Sequence, residues 1–215
     1  MKSSMNKLAL QKLTGKLALS LLLLTATFVE TQAQSSLQLG IKAGGDMMQI
    51  GGRSFDQKTY PGFVFGAYGQ LNFSSKWSVQ PELLWNQTVA KTTADFNNIY
   101  RGVSDQLVIL NYAALPVMLV YKPLPELSVM VGPQYSYLVQ QTQNLLPTEP
   151  GANAFSKSDL SIVFGGQLNL GKVIFGARYS ASVNNISFRS TDSWRQYGFN
   201  AYIGYRIADL KLKKK

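Results

Sequence analysis

The residue types that enzymes use most for acid–base and nucleophilic chemistry are missing from this chain. It contains neither His nor Cys, so no imidazole or thiolate is available as base, nucleophile or soft metal ligand, and no disulfide can form. Among the carboxylates, Asp46 and Glu82 fall on different predicted strands and Asp95 and Asp105 in a predicted loop, without the spacing of metal ligands. We therefore expect no catalytic site, no cofactor and no metal site.

Four charged positions, Glu82 among them, share the inward side of the predicted strands. They are Lys42, Glu82, Arg178 and Arg206. Because an unpaired buried charge is very costly, we interpret the set as an ion-pair network that fills and rigidifies an enclosed lumen. The alternative is that these charges line a narrow, slightly anion-selective path.

The elements that position these residues are strands with a period of two. Between residues 63 and 73, one side is apolar and the other is small or polar, and the run is long enough for a tilted strand to cross a bilayer. Such runs predict eight strands, at 37–48, 61–73, 77–90, 107–122, 126–140, 159–170, 172–185 and 194–207. The fourth strand is apolar on both faces, so the alternation of residue types does not show which of its faces is turned outward.

The connections between these strands alternate in length. Three are short, at 74–76, 123–125 and 171, and four are long, at 49–60, 91–106, 141–158 and 186–193. Outer-membrane barrels have short periplasmic turns and longer extracellular loops. The sequence therefore predicts an all-β fold, an eight-stranded antiparallel up-and-down transmembrane β-barrel, for which we take a monomer as the default.

Alternation alone does not show which face is outside, because a soluble periplasmic ligand-binding barrel alternates equally well. A soluble exterior would be about a quarter charged or more, whereas the polar face here has few charges. Aromatic residues also gather near both ends of the apolar face, as in an interfacial girdle. The predicted girdle residues are Phe63, Phe73, Trp77, Trp85, Tyr121, Tyr137, Tyr197 and Tyr205. These features favour contact with outer-membrane lipid.

The N-terminus has the pattern of an export signal. Lysines precede an apolar run from Leu17 to Val29, and Thr31 and Ala33 are small residues of the kind that a signal peptidase reads. We predict a cleaved signal peptide at 1–33, a barrel domain at 34–207 and a solvated Lys-rich tail at 208–215; the alternative for the first segment is a permanent anchor. The predicted location is the outer membrane of a Gram-negative cell.

Two of the long loops carry apolar side chains among polar ones. They are Phe96, Ile99 and Tyr100 in the first loop, and Leu145, Leu146 and Phe155 in the second. We interpret them as a cap over the mouth of the barrel itself. The alternative is a binding site for a partner protein or a surface glycan.

Several segments, in order, resemble a known family. They are Gly40–Gly45, Trp77–Leu84, Asn111–Tyr121, Val131–Pro133, Gly176–Tyr179 and Gly204–Arg206. Together they resemble the outer membrane protein beta-barrel domain of small porin-family and PorT-like proteins. The chain departs from that family pattern at Ala114 and Val120, where Glu and Lys are frequent, and at Ile207, where an aromatic residue is usual. The resemblance implies assembly by the barrel-assembly machinery, although the terminal signal is altered.

These observations predict a small outer-membrane barrel with a structural, adhesive or envelope-accessory role. The alternatives are a narrow small-solute channel, an accessory component of a secretion apparatus as the PorT-like resemblance implies, and the soluble periplasmic barrel. Every one of these alternatives in which the protein lies in the membrane allows a partner among envelope or surface proteins. The formal net charge is +10, but without a clustered basic patch we expect no nucleic-acid partner.

Overall fold

The structure, a computed structural model, describes residues 36–98, 104–142, 154–187 and 193–212. The predicted signal peptide lies outside these ranges, as do Ile99, Tyr100, Leu145 and Leu146 of the two apolar loops. Among the described residues, no helix is long and apolar enough to cross a membrane.

Eight strands form one closed barrel in which every strand is antiparallel to its two neighbours. The strands are β1 Ser36–Gly51, β2 Tyr60–Asn72, β3 Trp77–Lys91, β4 Leu107–Tyr121, β5 Leu127–Gln141, β6 Ser158–Leu170, β7 Val173–Ser182 and β8 Arg195–Lys211. A short 3-10 helix, Ala94–Asn98, lies between β3 and β4. The predicted fold and the number of strands are confirmed, with strand ends that agree to within four residues.

The two faces of each strand have opposite environments. In β2, Phe63 and Phe65 are 42% and 49% exposed, whereas Val64 between them is 3% exposed. In β4, whose sequence did not show which face is turned outward, Met118 and Val120 are completely buried and Leu119 is exposed. The inner wall near β4 is apolar because Met118 and Val120 pack together with Met130 and Val163 from β5 and β6.

The last strand is longer than predicted. The sequence placed its end at residue 207 and the tail from 208, but β8 continues to Lys211 and pairs with the first residues of β1. The register shifts by one residue opposite Leu39 and Gly40, which leaves Ile207 as the extra residue of a β-bulge. The bulge breaks the alternation of apolar residues, and for that reason the pattern of residues 208–211 did not indicate a strand.

Candidate functional site

The interior of the barrel holds a buried cluster of three charged side chains, here called the charged triad: Lys42 on β1, Glu82 on β3 and Arg178 on β7. Lys42 Nζ lies 2.7 Å from Glu82 Oε1. The guanidinium of Arg178 donates to both carboxylate oxygens of Glu82, over 2.8 and 2.6 Å. Gln80 donates a further hydrogen bond of 2.6 Å to Glu82 Oε1. All three charged side chains are at most 2% exposed, so the triad is enclosed by protein.

Two tyrosine rings offset the excess positive charge of the triad. Lys42 Nζ lies 4.5 Å from the ring centre of Tyr202 and 5.6 Å from that of Tyr68. The guanidinium of Arg178 also lies over the Tyr202 ring, at 4.7 Å. Such cation–π contacts stabilise a cation most when water is excluded. The Tyr202 hydroxyl donates to Gln167 at 3.1 Å, which fixes the ring in place.

Both tyrosine rings lie flat against the wall because a glycine faces each of them. A Cβ at Gly40 would lie 2.5 Å from the Tyr68 ring, and one at Gly176 would lie 2.2 Å from the Tyr202 ring. Gly40 pairs directly with Tyr68, and Gly176 with Tyr202, across neighbouring strands. The absence of a side chain at these two positions therefore makes room for the aromatic part of the site.

Arg206, the fourth predicted member of the network, lies elsewhere. Its guanidinium donates to the carbonyl oxygen of Gly171 in the β6–β7 turn and lies 3.5 Å from Asp209. At the same end of the barrel, Lys122 donates to Asn72 at 2.6 Å. Burial lowers the pKa of Lys122, and the nearby Arg206 charge lowers it further. Arg206 therefore belongs to the mouth on the short-turn side.

A second polar region, here called the polar chamber, lies further along β8 toward the long loops. It is a cavity of about 20 Å³ whose lining includes Asp46, Asn86, Tyr112, Asp159, Gln196 and Asn200. Gln196 accepts from Thr88 at 3.0 Å and donates to Tyr112 at 2.6 Å. Along β8 toward its first residue, the order is Tyr202 in the triad region and then Asn200 and Gln196 at the chamber; Trp194 immediately precedes the strand.

The loop end of the barrel is closed by four aromatic side chains, here called the aromatic cap: Phe55, Phe96, Phe155 and Trp194. Each comes from a different long connection, and each is at most 2% exposed. The ring centre of Trp194 lies 5.0 Å from that of Phe55, 5.7 Å from Phe96 and 5.3 Å from Phe155. Edge-to-face and offset contacts at such distances stabilise beyond the area they bury, so the cap ties all four long connections together.

Phe96 and Phe155 are among the loop residues that the sequence analysis interpreted as a cap over the barrel, whereas Phe55 and Trp194 are not. Trp194 immediately precedes β8 and is two residues before the inward-facing Gln196. The alternation of β8 therefore places Trp194 on the inward side, and it could have been predicted from this. Phe55 is a lone aromatic residue in a polar loop, and only the bridge that it forms with Thr92 places it near the cap.

The residues of the predicted aromatic girdle lie mainly on the outer surface. Phe63, Trp77, Tyr137 and Tyr205 are exposed, whereas Trp85, Tyr121 and Tyr197 are partly exposed strand residues. Phe73 lies in the turn after β2. On the short-turn side, the rings of Trp77 and Tyr121 are 4.8 Å apart. The girdle itself stays a prediction.

The sequence model of the outer membrane protein beta-barrel domain matches residues 32–187. The chain belongs to this family. The protein is therefore located in the outer membrane, its exposed apolar face contacts lipid, and the soluble periplasmic alternative is wrong. No curated protein matches the chain.

Among solved structures, the chain is similar to three small outer-membrane proteins. Ail of Yersinia pestis is 16% identical, with 79% of this chain and 98% of that chain covered, at a TM-score of 0.48. Neisserial surface protein A is 12% identical, with 81% and 98% covered, at 0.46. OprG from Pseudomonas aeruginosa is 13% identical, with 80% and 95% covered, at 0.39. Likenesses at this level say nothing about what this protein binds.

Proposed function

We propose that this protein is a non-conducting outer-membrane barrel with a structural, adhesive or envelope-accessory role and no catalytic activity. The observation that supports this proposal best is that side chains fill the interior at two separate levels. The charged triad crosses the barrel between β1, β3 and β7, and the aromatic cap covers the end with the long connections. A barrel of eight strands leaves only enough room for side chains.

A narrow channel is disfavoured because a solute would have to displace both levels. Moving Trp194 out of the cap would expose a ring that is fully buried and in contact with three other rings. Moving Arg178 would break two charge-assisted hydrogen bonds to Glu82, which are about twice as strong as neutral ones. Both obstacles would have to open at the same time.

The parts of the protein that remain free to act are its lipid-facing surface and the outer side of its loops. The cap packs together one aromatic side chain from each of the four long connections, and on the outer side of these connections we expect an envelope or surface protein partner to bind. During biogenesis, the barrel-assembly machinery would recognise the last strand, where Tyr205 is the aromatic residue nearest to the altered position Ile207. A role in secretion rests on the PorT-like resemblance alone, and no contact among the described residues favours it over a structural or adhesive role.

Conductance in planar bilayers tests the proposal. The folded barrel is first identified on gels, where the unboiled protein should migrate faster than the boiled protein, and is then added to the bilayer. We expect no steady open level. The matched control is the double variant Phe96→Ala, Trp194→Ala, which removes half of the cap and leaves the triad in place, and which should remain closed. A steady open level in the unmodified protein would overturn the proposal.

The adhesive and structural roles are separated in cells. A deletion strain is compared with the parent for sensitivity to detergents, which reports envelope integrity, and for attachment to surfaces and to other cells. A structural role predicts a change in the first measurement, and an adhesive role predicts a change in the second. No change in either would contradict both the structural and the adhesive role.

A further inference from the structure

The polar chamber has an unusual balance of hydrogen-bonding groups. Four of its side-chain oxygens are buried without a hydrogen-bond partner, and all four are acceptors. They are the Oδ1 atoms of Asp46, Asn86, Asp159 and Asn200. Asp46 and Asp159 are 2% and 4% exposed. Among the described residues that line the chamber, no buried donor is left without a partner.

This one-sided set favours a cation over water as the species that the chamber binds. One water molecule has only two O–H donors, so it could satisfy at most two of these four acceptors. A metal cation needs oxygen acceptors only, and carboxylate and amide oxygens are the ligands that hard cations prefer. The other carboxylate oxygen of Asp159 is already paired, because it accepts from Ser161 at 2.9 Å. Its Oδ1 atom remains for another partner.

The distribution of buried charge points the same way. Lys42 and Arg178 carry the positive charge of the buried strand residues, and both contact Glu82 in the triad. Asp46 and Asp159 are then two buried carboxylates with no cationic side chain among the residues that line the chamber. Because uncompensated buried charge is strongly unfavourable, a cation in the chamber would stabilise the folded barrel.

The size of the chamber limits which cation fits. About 20 Å³ is close to the space that one water molecule needs, so an ion would enter with little of its hydration shell. Mg²⁺ gives up its water reluctantly and keeps several molecules, whereas Ca²⁺ accepts flexible oxygen coordination. No group of three or more His, Cys, Asp or Glu side chains among the described residues could hold a metal. The site would therefore depend on the asparagine oxygens and bind weakly.

We propose that the polar chamber is a binding site for one small oxygen-coordinated cation, Na⁺ or Ca²⁺, with Asp46 and Asp159 as the charged ligands and Asn86 and Asn200 as the neutral ones. The sequence did not indicate this site, because its four ligands lie on β1, β3, β6 and β8 and no two are close in the chain. Only the closed barrel brings them to one cavity. The site is independent of whether the barrel conducts.

The test measures the thermal unfolding of the full-length barrel in detergent, followed by the loss of the fast-migrating unboiled band. The protein is unfolded and refolded in each salt, because the aromatic cap would slow exchange. NaCl, CaCl₂ and MgCl₂ are each titrated against tetramethylammonium chloride at constant ionic strength. We expect NaCl or CaCl₂ to raise the transition temperature in a saturable way, with half-saturation near or above about 1 mM, and MgCl₂ and tetramethylammonium to have no such effect.

Two isosteric variants and one control assign the effect to the chamber. Asp46→Asn and Asp159→Asn keep the size of the side chain and remove one charge each, so each should weaken the cation response, and the double variant should abolish it. Asp105→Asn is the control, since Asp105 lies in a loop and pairs with Lys91, and its response should equal that of the unmodified protein. Equilibrium dialysis with ⁴⁵Ca²⁺ gives a second readout, with one ion bound at most.

Three results would overturn the proposal. They are an unmodified protein whose transition does not depend on the cation, a double variant that keeps the full response, and an equal response to MgCl₂. The first needs no variant, so the test holds even if a substitution prevents folding.

Discussion

Arg178 and Glu82 are joined by two nearly parallel hydrogen bonds, of 2.8 and 2.6 Å, although they lie on β7 and β3, on opposite sides of the closed barrel. The strand ladder holds each strand only to its two neighbours. This pair adds a direct link across the interior, and Lys42 on β1 joins it at the same carboxylate. The stability of the barrel wall and the content of its lumen are therefore coupled at Glu82.

Glu82→Gln should be among the most destabilising single substitutions in the barrel. It removes the negative charge and leaves Lys42 and Arg178 buried together, and breaking a buried pair in this way costs about 3–5 kcal/mol. Urea unfolding of the protein in lipid vesicles measures the loss. Glu126→Gln, the same change in the exposed β4–β5 connection, should alter the free energy of unfolding by less than about 0.5 kcal/mol. Equal losses for the two variants would contradict the role of the triad.

Lys42→Met should behave in the opposite way to Glu82→Gln. It removes the extra cation and leaves the bidentate Arg178–Glu82 pair intact. Replacing a buried charge by an apolar group of similar size is often neutral or stabilising. We expect a change of at most about 1 kcal/mol in the same urea measurement. A loss as large as that of Glu82→Gln would mean that Lys42, and not Arg178, carries the link.

Trp194→Ala should loosen all the loops at once. The ring contacts Phe55, Phe96 and Phe155, and its removal from a buried cluster should cost about 3–5 kcal/mol. Limited proteolysis of the barrel in vesicles should show faster cleavage in all four long connections. The control, Trp77→Ala, removes a tryptophan from the lipid-facing surface at the other end and should leave loop cleavage unchanged. Faster cleavage in only one loop would argue against a shared cap.

Truncation at the C-terminus tests the extra length of β8. A chain that ends at residue 207 loses the pairing of residues 208–211 with the first residues of β1. It should therefore unfold at lower urea than the full chain. A chain that ends at Lys211 keeps the entire ladder and should match the full chain. If the two truncations have the same stability, the pairing beyond the bulge contributes nothing.

The assignment of the faces can be tested with single cysteines, since the chain has none of its own. Phe199→Cys, Phe175→Cys and Ser180→Cys are labelled in vesicles with a lipid-soluble thiol reagent. Phe199 and Phe175 are 63% and 44% exposed on the apolar side, whereas Ser180 is buried in the lumen. The first two should react and the third should not. Reaction at Ser180 alone would reverse the faces.

The strands could be predicted because alternate residues face lipid and the enclosed lumen. Lipid favours apolar side chains, whereas most of the lumen holds small or polar ones. This contrast is clear in β2, where exposed Phe65 follows buried Val64. It disappears in β4, whose inner side is also apolar: Ala114, Met118 and Val120 are fully buried. The bulge near Ile207 hid the end of β8 for a related reason, because one extra residue reverses the alternation.

The interior could be predicted only in part. The alternation along a strand shows which face a residue lies on, but not how far along the barrel it lies. Lys42, Glu82 and Arg178 were assigned to the lumen and the structure brings them into contact. Arg206 has the same parity, but it lies four residues beyond Tyr202, about 13 Å further along the strand. Partners across the lumen depend on the stagger of the whole barrel, and no local pattern in the chain encodes that stagger.

The pairing of β1 with β8 has a consequence for how the barrel forms. It is the longest register in the barrel, and it joins the first described residues to the last strand, so it is also the contact with the greatest separation in sequence. Contacts of that kind are slow to form, because the chain loses the conformational entropy of a long loop before any hydrogen bonds between the two strands can form. Until β8 has been translocated, β1 has an unpaired edge, which is a template for aggregation. A nascent chain of this protein therefore depends on protection of that edge until its final residues arrive.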